Sequence, residues 1–331
     1  MKLSGITVAG NIIVDSNKYI DIYPEEGHLS YINDVSTSLG GCVPNTGIAL
    51  KVMDPELHII AMGTIGDDEN GKFALQTFEN LGIETKQIDI LKDERTSHVD
   101  AFVNVENAKR TFFLQEGASR FFGQNTKPVL TKYLHVGYLL LLPYMDEIVE
   151  HGRTRMSYWL EQLSQDGVII SCDIVSEEST RYRKVISSSL PYINHLIINE
   201  IEASKLAEVE IFKNGVLQID SLIQCAKVIK NMGVKEKIII HSPNISIIYD
   251  GINVYRLNSL FLPKEAIVNS VGAGDAFCAA SLYGLMHDME PTEMLRLASC
   301  VAADVLMSPT PKPNLCKIKD FLELENKYGR K

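Results

Sequence analysis

One stretch concentrates the residue types needed to hold an anion beside a proton acceptor: Asn269-Ser270-Val271-Gly272-Ala273-Gly274-Asp275-Ala276-Phe277, followed by a helical pattern over 278–287. Gly272, Ala273 and Gly274 carry almost no side chain, so the main chain there can approach a ligand closely. The following helix presents its unpaired N–H groups and the positive end of its dipole, which together make an anion hole. Asp275 falls in the first helical turn, where a carboxylate either caps the helix or accepts a proton from a substrate hydroxyl. A glycine-rich helix start with no ligand has the same local pattern.

Two further groups could hold a ligand through several hydrogen bonds. Asp15 follows the first apolar strand, and Ser38-Leu39-Gly40-Gly41-Cys42-Val43-Pro44-Asn45-Thr46-Gly47 places two glycines and an amide at a helix start. A carboxylate and an amide together accept and donate several hydrogen bonds. Read separately, Asp15 is also an ordinary loop carboxylate and Asn45 a helix-end amide. Asp173, after an apolar run over 168–172, is a weaker candidate, for the same region as Asn199 and Glu202.

Two resemblances fail on chemistry. Gly66-Asp67-Asp68-Glu69-Asn70-Gly71-Lys72-Phe73 nearly matches G-x-x-x-x-G-K-[ST], but Phe73 has no hydroxyl for a metal and three acids occupy the loop. Gly272-Ala273-Gly274 lacks the third glycine of a dinucleotide fingerprint, which disfavours a dehydrogenase.

The elements that must position these residues alternate. Strand-like runs at 6–9, 57–61, 133–136, 168–172, 195–198 and 237–241 are interleaved with helical patterns at 44–53, 71–81, 145–163, 200–209, 221–232, 275–287 and 292–306. That order predicts a mostly parallel sheet covered by helices. Pro44 and Pro291 suit first helical positions, Asp220 an N-cap and Gly233 a C-terminal stop. Two segments read as β only, one over 17–38 and a hairpin with Val99, Ala101, Val103 and Val105 on one face, turning near Asn107 and returning over 111–114. They form either a small separate sheet that covers a site, or edge strands of the main sheet.

The 331 residues hold 32 Lys and Arg against 42 Asp and Glu, a formal charge of -10 that repels polyanions and argues against nucleic acid as a partner. Apolar runs stop well short of a membrane span, and the N-terminus has no signal-like core, so neither a membrane partner nor secretion is expected and the chain reads as cytoplasmic. Cys42, Cys172, Cys225, Cys278, Cys300 and Cys316 contain no Cys-x-x-Cys pair, and the eight histidines show no metal-ligand spacing, so the thiols read as reduced and structural.

The segment ending in Gly272-Ala273-Gly274-Asp275 resembles the second signature of the ribokinase, or PfkB, family of sugar and nucleoside kinases, D-[TS]-x-G-A-G-D-x-F. Gly40-Gly41-Cys42-Val43-Pro44-Asn45 resembles the family's G-G-x-x-x-N signature. Gly10 with Asp15, Gly66-Asp67-Asp68 with Gly71, and Asn199-Glu200-Ile201-Glu202 as an N-x-x-E element follow in order, so the resemblance spans nearly the whole chain.

The resemblance implies a ribokinase-like three-layer α/β/α domain over 1–331, with a mostly parallel central sheet and a discontinuous β-sheet lid at about 12–38 and 97–116. It implies transfer of the γ-phosphoryl group of ATP to a hydroxyl, a primary one, of a small sugar. Asp275 would be the base, with the N–H groups of Gly272, Ala273 and Gly274 stabilising the transferred group. Asp15 and Asn45 would bind the sugar, with Gly40 and Gly41 letting the main chain pass close to it. Asn199 and Glu202 would reach Mg²⁺ and the triphosphate, Glu202 through water, and Ser242 would sit in the nucleotide-phosphate turn. Pairing through the lid would make a homodimer.

Three positions depart from the pattern. Asn269 stands where the signature has an Asp that helps bind a monovalent cation, and an uncharged amide weakens the case for K⁺. The G-x-x-G turn beside the nucleotide is His241-Ser242-Pro243-Asn244, with both glycines gone. Cys42 occupies a position that often carries Lys, which favours a neutral sugar. Besides the sugar kinase of ribokinase or fructokinase type, a nucleoside kinase of the same family and a sugar-binding protein that has lost phosphotransfer fit the sequence.

Overall fold

The computed structural model describes residues 3–106, 110–125, 127–268, 270–308 and 310–331. Along the chain run β1 (Leu3–Gly10), β2 (Ile13–Ile20), β3 (Ile32–Gly40), α1 (Cys42–Met53), β4 (Ile59–Gly66), α2 (Glu69–Asn80), β5 (Glu84–Leu91), β6 (Ser97–Asn104) and β7 (Arg110–Gln115). β8 (Thr131–Leu139), α3 (Pro143–Asp146), α4 (Arg155–Gln165), β9 (Ile169–Ile174), α5 (Tyr182–Ile186), β10 (His195–Asn199), α6 (Glu200–Ala207), β11 (Phe212–Lys213), β12 (Val216–Leu217) and α7 (Ile219–Asn231) follow. The chain closes with β13 (Lys237–His241), β14 (Ile245–Tyr249), β15 (Val254–Asn258), α8 (Ala273–Met286), α9 (Pro291–Leu306) and α10 (Ile318–Tyr328).

Nine strands form one sheet in the order β15-β14-β13-β10-β9-β8-β1-β4-β5. The pairs from β5 to β13 are parallel, and β14 and β15 add antiparallel strands at one edge. Both faces are covered, so the central strands are apolar throughout rather than alternating: all eight residues of β4 are buried. Successive residues serve opposite layers. Leu196, Ile198, Ile238 and Ile240 pack with α4 to α7, whereas Ile197 and Ile239 pack with α1, α2, α8, α9 and α10.

β3, β2, β6 and β7 form a separate four-stranded sheet, which decides against edge strands of the main one. β2 runs parallel to β6, while β2–β3 and β6–β7 are antiparallel. Asn107, where the hairpin was expected to turn, lies outside the described residues.

Several local expectations are corrected. The helix expected over 145–163 is two pieces, α3 and α4, separated by a turn in which His151 and Gly152 have φ of 53° and 73° and Ile148 bridges Thr154. α1 begins at Cys42 with Gly41 as N-cap, so Pro44 is its third residue. Gln218 rather than Asp220 precedes α7. Among the described residues no helix is long and apolar enough to cross a membrane.

Candidate active site

The carboxyl ends of the parallel strands are where an open α/β sheet exposes chain ends to a ligand. Here β9 brings Asp173, β8 carries Gly137 and Tyr138 near its end, β10 ends at Asn199, and β13 ends at His241. α8 starts against them. Its N-cap Gly272 has φ 81°, a left-handed conformation suited to glycine, and a Cβ there would press on the Pro311 main chain.

Asp275, half-buried in the first turn of α8, accepts a hydrogen bond from Tyr138 Oη at 2.8 Å and another from Asn45 Nδ2 at 3.0 Å. Burial, then the negative charge of Asp173, raises its carboxyl to about 7, while the Tyr138 and Asn45 hydrogen bonds pull the other way. A carboxylate poised near neutrality suits a proton acceptor. Asn45 is 5% exposed and its Oδ1 has no hydrogen-bond partner among the described residues, so a buried acceptor is left for a ligand hydroxyl.

Asp15 lies on β2 beside Gly40, where any Cβ would collide with its carboxylate. Burial raises Asp15 to about 6, and the nearby charges of His98, Arg110 and Lys312 draw it back down. Gly41 caps α1, whose fourth residue Asn45 reaches Asp275, so the G-G-x-x-x-N element and the G-A-G-D element converge.

Two cavities meet at Asn199, His241 and Gly274. The smaller, about 120 Å³, is lined by Tyr138, Asp173, Glu202, Asp275 and Cys278. The larger, about 490 Å³, is mostly apolar, with Leu260, Leu262, Ile267, Ala302 and Leu306 beside Ser242 and Lys331. The turn that lacks both glycines is closed by Ser242, whose hydroxyl donates to Ile245 O at 2.7 Å and accepts from Ile245 N at 3.0 Å. Lys331 Nζ donates to Pro243 O at 2.6 Å. His241 packs on the Phe277 ring, with centroids 4.9 Å apart, and burial lowers it to about 4, so it is neutral near pH 7.

Asn199 and Glu202 form a capping box at α6. Asn199 Oδ1 accepts from Glu202 N at 2.9 Å, Glu202 Oε2 accepts from Asn199 N at 2.9 Å, and Glu202 Oε1 accepts from Asn199 Nδ2 and Ser176 Oγ, each at 2.7 Å. Burial raises Glu202 to about 8, with Asp173 and Glu200 adding to the shift. Three carboxylates around one small cavity form an oxygen donor set that calls for a hard cation, so a hydrated divalent ion fits. Asn269 lies outside the described residues, so the monovalent-cation expectation has no geometry.

The G-G-x-x-x-N, N-x-x-E and G-A-G-D patterns thus meet in space, and Asp15 stands on β2 beside Gly40. Sequence reading missed Tyr138, Arg110 and Lys312, because a tyrosine near the end of β8, an arginine opening β7 and a lysine between prolines have no local signature. Cys42 is fully buried against Gly137 and gives no basis for choosing between neutral and charged acceptors.

Comparison with known proteins agrees over nearly the full length. Residues 5–313 match the model of the pfkB family carbohydrate kinases. An adenosine kinase 1 of Arabidopsis thaliana is 24% identical over 315 residues, covering 90% of this chain and 85% of that protein. A 5-dehydro-2-deoxygluconokinase of Clostridium perfringens is 21% identical over 323 residues, covering 94% and 92%. Among solved structures, a ribokinase from Thermotoga maritima superposes with a TM-score of 0.76 at 15% identity, covering 97% of this chain and all of that one, which shows the shared fold.

Proposed function

The chain belongs to the pfkB family of carbohydrate kinases, and on that premise we propose that it transfers the γ-phosphoryl group of ATP to a primary hydroxyl of a small sugar, as a ribokinase or fructokinase does. The observation that carries this reading is Asp275, held by Tyr138 and Asn45 at the N-terminus of α8 where the two cavities join.

Asp15 and Asn45, with the main chain at Gly40 and Gly41, hold and orient the sugar. Asp275 accepts the hydroxyl proton late, as a loose phosphoryl-transfer transition state permits. The N–H groups of Gly272, Ala273 and Gly274 meet the charge that develops on the transferred group. The apolar cavity receives the base of the nucleotide, and Ser242 shapes the turn beside its phosphates. Asn199 and Glu202 would hold Mg²⁺ through water, and the ion would neutralise phosphate charge.

A coupled ADP-release screen over neutral sugars, acidic sugars and nucleosides tests the assignment. Turnover confined to nucleosides would overturn the sugar reading, and tight sugar binding with no ADP release on any acceptor would leave only a binding protein. The retained base and helix N-terminus argue for turnover.

Asp15→Asn is expected to raise the acceptor KM about 10- to 100-fold with little change in kcat, since hydrogen bonds to a charged group are worth roughly 1.5–3 kcal/mol. In the parent enzyme that KM should fall as pH rises through about 6, where Asp15 ionises. A KM that ignores both changes removes Asp15 from the acceptor site.

The small sheet acts as a lid that excludes water and as a dimer surface. Tyr31 is 77% and Phe113 58% exposed, with Ile22, Val35 and Phe112 also open, more apolar surface than one lid needs toward solvent. Sedimentation at micromolar concentration should give a dimer, and Phe113→Glu should shift it to monomer. A monomeric parent refutes the pairing.

A further inference from the structure

Next to the cavity that holds Asp275 lies a cluster with a different chemistry. Cys42 and His135 are fully buried, Cys278 is 2% and Asp173 7% exposed. One ligand atom from each of Cys42, His135 and Asp173 lies within 4.8 Å of the others. Cys278, one helical turn beyond Asp275, brings its Sγ to 3.5 Å from His135 Nε2, and Asp173 Oδ2 lies 3.6 Å from the same nitrogen.

From these positions we propose that Cys42, His135 and Asp173 form a binding site for one divalent transition ion, with Zn²⁺ the best match, and that the neighbouring Cys278 swings in as the fourth ligand. Tetrahedral zinc, with bonds of about 2.0–2.3 Å, separates a nitrogen from a sulfur ligand by roughly 3.6 Å and a nitrogen from an oxygen by roughly 3.3 Å. The two measured separations already lie close to those values.

The surroundings prepare His135 as a ligand. Ser171 Oγ donates its single proton to Leu134 O at 3.2 Å, so it accepts from His135 Nδ1 at 3.0 Å. That assignment places the ring proton on Nδ1 and turns the bare lone pair of Nε2 toward Asp173 and Cys278, the outer hydrogen bond a metal-bound imidazole uses. Asp173 Oδ1 has no hydrogen-bond partner among the described residues although the residue is 93% buried. A Cβ on Gly137 would collide with that oxygen and with Cys42 Sγ, so only a glycine there lets these two ligand atoms stand where they do. Asp173 and Cys278 also line the small cavity, which provides a path in.

Thiolate, imidazole and carboxylate together select a borderline ion and discriminate against Mg²⁺. The donor set therefore differs from the oxygen-lined one at Glu202, with which it shares Asp173, and the proposal does not depend on the reaction assigned above.

Co²⁺ titrated into the metal-free full chain, with Mg²⁺ in excess, is expected to saturate at one equivalent and to produce a thiolate-to-cobalt charge-transfer band that Zn²⁺ abolishes. Cys42→Ser and Cys278→Ser should each weaken Co²⁺ binding at least tenfold and diminish the band, whereas Cys316→Ser, at an exposed thiol, should alter neither. Where a buried-thiol variant fails to fold, zinc X-ray absorption on the unsubstituted protein should show sulfur at about 2.3 Å with nitrogen or oxygen at about 2.0 Å. Absence of Co²⁺ binding, a band that survives loss of both thiols, or a shell of nitrogen and oxygen alone overturns the site.

Discussion

Asp275→Asn is expected to lower kcat by about two to four decades with the sugar KM within a few fold, and to make the protein more heat-stable at neutral and higher pH. The first effect follows from removing the proton acceptor while keeping the shape of the site. Tyr138 Oη can still donate to the remaining oxygen, and the Asn45 amide can flip to present its unpartnered Oδ1 to the new NH₂. The second follows from linkage. The carboxyl is raised to about 7, so between about pH 4 and 7 the folded chain retains a proton that the unfolded chain has released. Stability therefore falls as pH rises through that window, and the loss is complete above it. Asparagine never ionises, so the gain in Tm over the parent should be small at about pH 4 and reach its full size above about pH 8. Full turnover in the variant would remove Asp275 as the base. A Tm gain that does not grow with pH would mean that the buried charge is not what destabilises the parent.

The same residue shows what was legible in the chain and what was not. G-A-G-D and G-G-x-x-x-N are local patterns, because a helix start and the small residues that open it are neighbours in sequence. That Asn45 and Asp275 share a hydrogen bond across 230 residues depends on α1 packing beside α8, which no local pattern encodes. Buried parallel strands were readable as apolar runs. β5 was missed because Glu84, Thr85, Lys86, Gln87 and Asp89 make this edge strand polar, and the break between α3 and α4 was missed because apolar periodicity continues on both sides of it. Tyr138 became visible only through the fold, which sets its hydroxyl on Asp275.

Glu202 presents the sharper choice between roles, because the capping box alone accounts for its hydrogen bonds. As a cap it has what it needs: both oxygens accept from Asn199, and Oε1 also accepts from Ser176. Yet a cap at the surface has no reason to be 5% exposed and raised to about 8, beside Asp173 on the wall of the same cavity. A neutral glutamine keeps one acceptor and turns its NH₂ toward a donor, so Glu202→Gln should cost about 1 kcal/mol at the start of α6. That loss is offset above pH 8 by removal of the buried charge, with the sign worked out for Asp275. Were capping the whole role, kinetics at saturating Mg²⁺ and at low Mg²⁺ would change alike. If Glu202 also orders water on the ion, the Mg²⁺ concentration for half-maximal rate should rise about 10- to 100-fold while the acceptor KM stays put, the opposite of the pattern expected for Asp15→Asn. Rates measured against free Mg²⁺ at fixed ATP decide between the two, and an unchanged Mg²⁺ dependence reduces Glu202 to the cap of α6.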